Sequence, residues 1–121
     1  MTQRTLERKT LSASTLIGDS VRNPDGEDLG SIKEIMLDVH TGRIAYAVLD
    51  MGGFLGIGNK LFALPWSTLA IDADKHEFVL NVPKERLKNA PGFDQDDWPD
   101  FSDRTWGMEV HTFYHADPYW M

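Results

Sequence analysis

Two histidines, His111 and His115, stand four residues apart near the end of the chain. On a helix that spacing puts two imidazoles on one face, the arrangement with which a zinc ion is gripped. A zinc hydrolase of this spacing needs a glutamate directly after the first histidine and a third ligand. The chain has Thr112 there. The pair is therefore read as surface or packing histidines, and no metal is expected. Four carboxylates, Asp94, Asp96, Asp97 and Asp100, invite a calcium reading. An EF-hand loop starting at Asp94 would need an oxygen ligand at 98, glycine at 99 and glutamate at 105, where the chain has Trp98, Pro99 and Thr105. A small-ligand or cation-binding barrel that uses these carboxylates and the two histidines is kept only as the alternative function. Gly53 and Gly58 have the spacing of a phosphate-binding P-loop, but Asn59 and Leu61 replace its lysine and its hydroxyl residue. Ser67 and Thr68 lack the surroundings of a nucleophile elbow. No catalytic residue and no cofactor are expected.

The glycine-rich stretch from Met51 to Lys60 reads better as a hairpin loop that presents Phe54, Leu55 and Ile57. Apolar side chains at such a tip mark a contact surface. The last thirty residues suggest a second one. Residues 91–121 hold seven acidic groups and one base, together with eight of the 13 aromatic residues. Disordered acidic segments are poor in aromatics, because an unpacked chain gains nothing from them. This tail is expected to dock on its own barrel or on a neighbouring subunit, with Trp98, Trp106, Tyr119 and Trp120 supplying contact area.

The elements that position these residues read mainly as strands. Asn23-Pro24-Asp25-Gly26 is a turn, with proline presetting φ and glycine taking the positive φ. From Ile35 the chain alternates, placing Ile35, Leu37 and Val39 on the apolar face of a half-buried strand. Ile32 breaks that parity, which predicts a bulge near Lys33. His40 to Arg43 is a tight connection. Ile44 to Leu49 is apolar on both faces, as a central strand is. Leu61–Leu64, Leu69–Ile71 and Phe78–Val82 complete five or six short strands, an antiparallel barrel or sandwich. Pro83 opens a short helix that Pro91-Gly92 closes off. Ser102 is the expected cap of a tail helix carrying Trp106, Val110, Phe113 and Tyr114, with Gly107 awkward inside it. The divisions are a leader (1–14), a barrel domain (15–90) and the acidic aromatic tail (91–121).

The 121 residues carry a net charge of −7 and no cysteine. That excludes disulfides, thiolate metal sites and a cysteine nucleophile. It also argues against nucleic-acid binding, which needs a basic face. The longest apolar run, Ile44 to Leu49, falls far short of the roughly 20 residues that span a bilayer. No apolar segment follows the charged N-terminus as in a signal peptide. A cytoplasmic domain without membrane insertion is expected.

Several of these segments resemble the PRC-barrel family. They are Leu16-Ile17-Gly18, Gly26 to Ile32, Asp38-Val39-His40-Thr41-Gly42-Arg43-Ile44-Ala45-Tyr46 and Lys60 to Trp66, together covering roughly 15–85. The family includes the cytoplasmic part of the photosynthetic reaction centre H subunit, the C-terminal domain of a ribosome maturation factor and many small stand-alone bacterial proteins. Gly92-Phe93-Asp94 and Pro118-Tyr119-Trp120 look like the tail of the stand-alone members. The resemblance implies a small PRC-type antiparallel β-barrel and an assembly habit, with no catalysis. The expected function is a non-enzymatic adaptor that self-associates as a homodimer or higher homo-oligomer and docks a protein partner.

Overall fold

The computed structural model describes residues 10–52 and 60–121. Seven strands form one sheet: β1 (Ser20–Arg22), β2 (Asp28–Asp38), β3 (Arg43–Asp50), β4 (Lys60–Pro65), β5 (Leu69–Asp72), β6 (Glu77–Leu80) and β7 (Gly92–Asp94). Their order is β5-β6-β1-β2-β3-β4-β7, with β5 and β7 at the margins, so the sheet is not closed. Three short helices accompany it: α1 (Ala13–Leu16), α2 (Lys84–Leu87) and α3 (Arg104–Phe113). The mainly β expectation holds. The seventh strand comes from the tail, and one pairing, β1 with β6, is parallel where an antiparallel sheet was expected.

β3 and β4 are the centre of the molecule. Ala45 to Leu49 and Leu61 to Pro65 are buried without interruption, so both faces of these strands are covered. This is what an unbroken apolar run requires. The bulge at Lys33 is present, since Ile32 pairs with Leu49 and the next pair joins Glu34 to Val48. Gly30 meets the sheet at its tightest point. It has φ 130, and a Cβ there would stand 2.2 Å from the Asp50 carbonyl oxygen. Only glycine fits both demands.

One expectation fails. Ile35 is partly buried, but Leu37 is 57% and Val39 90% exposed. The cause is a mismatch of strand lengths. β2 runs for 11 residues and β1 for three, and their pairing ends at Ser31. From Lys33 to Asp38, β2 has β3 along one edge and no described strand along the other. The pairing with β3 also slips between Met36 and Leu37, and Val39 lies past the end of β2 in the turn, so the alternation read from Ile35 does not carry through to Leu37 and Val39.

The Asn23–Gly26 turn is fastened to the segment that follows β6, the neighbouring strand of β1, by one buried amide. Asn23 Oδ1 accepts from the Asp25 and Glu27 backbone N–H groups at 3.1 and 3.0 Å. Its Nδ2 donates to Glu27 Oε1 at 2.7 Å and to the Val82 carbonyl at 3.2 Å. Glu27 Oε1 also accepts the Lys84 N–H at 3.2 Å, ahead of α2. These bonds, with the Asn23 side chain first, hold the Glu27 carboxyl below the usual carboxylate range.

Asn23→Ala is expected to lower unfolding stability by roughly 2 kcal/mol or more, since it strands buried donors and acceptors together. Glu27 has a lowered folded pKa. Its contribution is therefore complete above the unfolded carboxylate value and disappears as pH falls through the folded one. Urea titrations across that acid range should show a smaller pH-dependent loss in Glu27→Gln than in the parent chain.

Candidate interaction site

The tail folds back over the middle of the sheet, and Tyr46 on β3 is the point on which it closes. Tyr46 has no solvent exposure. Four tail rings surround it, Phe101, Trp106, His111 and Tyr119, with centroids 5.8, 5.4, 5.4 and 5.6 Å away. Three of the four pack edge-on, the geometry that sets one ring's positive rim against another's negative face. Burial raises the Tyr46 hydroxyl pKa, with Tyr119 adding to the effect. That hydroxyl is buried and has no hydrogen-bond partner among the described residues.

Two glycines allow the approach. A Cβ on Gly107 would lie 2.8 Å from the Trp120 ring and 2.9 Å from the Tyr46 hydroxyl. The glycine that looked out of place in a helix is what lets α3 touch β3. A Cβ on Gly92 would lie 2.9 Å from the Leu61 carbonyl, where β7 pairs with the edge of β4. Two arginines complete the clasp. Arg86 donates to the Phe113 carbonyl, and its guanidinium sits 4.3 Å from the Phe113 ring centre. Arg43 Nη1 donates to the Tyr119 carbonyl at 2.9 Å.

The tail residues expected at a subunit contact are thus placed within one chain. Trp98 packs with Phe93 and Phe101, and its indole donates to the Gln95 carbonyl at 2.7 Å. Trp106 and Tyr119 lie against Tyr46, and Trp120 stacks edge-on to His111 and Tyr119. All four remain half-buried rather than fully enclosed. Phe54, Leu55 and Ile57 lie outside the described residues.

The cap of α3 is Asp103, not Ser102. The Asp103 carboxylate accepts from the Thr105 and Trp106 N–H groups at 2.9 and 3.4 Å. A carboxylate also complements the positive end of a helix, which serine cannot do. His111 and His115 do not share a face. His111 is buried, with Nδ1 2.7 Å from the Gly107 carbonyl oxygen, so that nitrogen carries the proton. α3 ends at Phe113, and His115 turns outward with φ 56. Two members of the acidic cluster fasten turns, Asp94 accepting from the Asp96 N–H and Asp100 from the Ser102 N–H, both at 2.9 Å.

What remains accessible is the distal half of β2. Leu37 sits there, with Val39 just past its end in the turn, beside an edge whose backbone groups face no described strand. The sequence placed these residues on a buried face; the length of β1, three residues, was the signal that they are not covered.

A family model described as PRC-barrel domain matches residues 8–87, about two thirds of the chain. The match takes in β1 to β6 and α2, and stops before the tail. No curated protein matches the sequence. Among the described residues no helix is long and apolar enough to cross a membrane.

Gly107→Ala should lower stability even though alanine favours an exposed helix by about 1 kcal/mol. The overpacking against Trp120 and Tyr46 costs roughly 1–3 kcal/mol and wins. Tyr46→Phe should do the reverse, gaining about 1 kcal/mol by removing an unpaired buried hydroxyl. Urea unfolding followed by tryptophan fluorescence reads both.

Proposed function

The chain belongs to the PRC-barrel domain family, and on that premise we propose that it is a non-enzymatic assembly module that self-associates and docks a protein partner. The observation that carries this reading is the uncovered edge of β2. Six residues, Lys33 to Asp38, present strand backbone with no described strand on one side. Leu37 and Val39 stand exposed beside it. An edge of this kind is a template for another strand. Its simplest occupant is the same edge of a second copy, paired antiparallel across a two-fold axis.

The side chains with chemistry to offer support the non-enzymatic part. His111 spends one nitrogen on a backbone carbonyl, and the turn aspartates are engaged with backbone amides. The tail aromatics serve the fold of one chain, which shifts the proposed contact from the tail to the β2–β3 hairpin.

Light scattering coupled to size exclusion tests the reading. The parent chain is expected to run as a dimer, and Leu37→Lys/Val39→Lys as a monomer that still unfolds cooperatively, because both side chains are already exposed within one chain. A parent chain that stays monomeric at every concentration would remove self-association from the proposal.

A further inference from the structure

Between the β2–β3 turn and the C-terminal segment lies a cleft of about 450 Å3 that the assembly role does not use. His40, Thr41 and Arg43 line it from the turn, Ser102 and Arg104 from the start of α3, and Trp120 from the end of the tail. Its two guanidiniums come from segments some sixty residues apart in sequence, and the tail orients both. Arg43 Nη1 is fixed on the Tyr119 carbonyl. The Arg104 guanidinium lies 5.4 Å from the Trp120 ring centre. Neither makes an ion pair with a carboxylate among the described residues, in a chain with 19 acidic and 12 basic side chains. Two arginines with no carboxylate partner among the described residues, facing one hollow, offer a place for an anion from outside.

The carboxylates near the cleft refine what that anion is. Asp103 is committed to the Thr105 and Trp106 amides. The start of α3 is therefore already capped, and the site rests on the guanidiniums rather than on the helix end. Asp38 lines the cleft and accepts the His40 N–H at 3.0 Å. It would repel a bare oxyanion placed beside it, and it offers an acceptor to a ligand hydroxyl. Planar guanidinium forks match phosphate oxygens two at a time. The Ser102 hydroxyl supplies a further donor, while that of Thr41 is engaged with the Asp38 carboxylate. Trp120 and Tyr119 offer ring surface to the carbon skeleton of a ligand. We propose that this cleft binds a small phosphate monoester, its phosphate held between Arg43 and Arg104 and its hydroxylated body lying between Asp38 and Trp120. Because the two arginines belong to the turn and to the tail, an occupied cleft ties the tail to the sheet.

Amide and indole NMR shifts of the intact chain test this at constant ionic strength. The probes are ribose 5-phosphate, inorganic phosphate and ribose. Ribose 5-phosphate is expected to give saturable shifts at Thr41, Arg43, Ser102 and the Trp120 indole, with inorganic phosphate weaker at the same residues and ribose silent. Arg43→Gln and Arg104→Gln should each weaken binding by about tenfold or more, the loss of a charge-assisted pair. Arg43→Lys keeps the charge and a donor to Tyr119, and should retain the parent melting temperature while still binding less well. Lys88→Gln, remote from the cleft, should change nothing. Absence of saturable shifts at these residues would overturn the proposal. Inorganic phosphate binding as tightly as the monoester, or affinity unchanged in the two glutamine variants, would overturn it equally.

Discussion

Tyr46 is the residue around which the rest of the molecule is arranged. It sits in the middle of the central strand, fully buried, yet only one side of its strand faces the inside of the curled sheet. The other side is dry because the tail lies over it. Each large side chain buried there contributes about 1.5–3 kcal/mol by removal of apolar surface. The edge-on ring contacts add about 0.5–1.5 kcal/mol per pair. This explains a tail that is both acidic and aromatic. The rings of Phe93, Phe101, Trp106 and Tyr119 point inward, while Asp94, Asp100 and Asp103 stay at the surface and fix the turns that aim the rings. Gly92 and Gly107 set the distance of closest approach at the two places where the tail meets strands.

How much of this was readable beforehand depended on how local the cause was. Turns, strand periods and the Lys33 bulge are decided within a few residues, and the sequence pattern located them. β7 was not legible, because Gly92-Phe93-Asp94 has no period of its own and is a strand only by virtue of the β4 edge. The cap of α3 had two eligible neighbours, and the choice of Asp103 over Ser102 was made by the helix geometry. The fate of Leu37 and Val39 depended on where another strand stops, which periodicity does not encode. The histidine pair, read as surface or packing residues, shows the same limit of a local pattern. Spacing of four implies a shared face only while the helix lasts, and α3 ends between them.

The two sides of the sheet's centre are treated differently. The edge of β4 is covered by β7, a strand from outside the matched domain. The distal edge of β2 receives no such cover among the described residues. A barrel domain that keeps one edge for itself and leaves another open has a defined direction in which to add a partner. The arginine-lined cleft lies where the turn beyond that open edge meets the tail, so the elements proposed for assembly and for ligand binding are neighbours.

The parallel pairing of β1 with β6 carries a consequence for how the chain reaches this state. Ser20 is matched with Glu77, so the first strand waits for a partner more than fifty residues downstream. The β2–β3 hairpin, by contrast, closes over a handful of residues. Chain-closure entropy favours the short loops first and delays distant ones. During synthesis the β1–β2 and β2–β3 hairpins would assemble first, leaving the outer edge of β1 open, and the molecule would lock only once β6 had emerged.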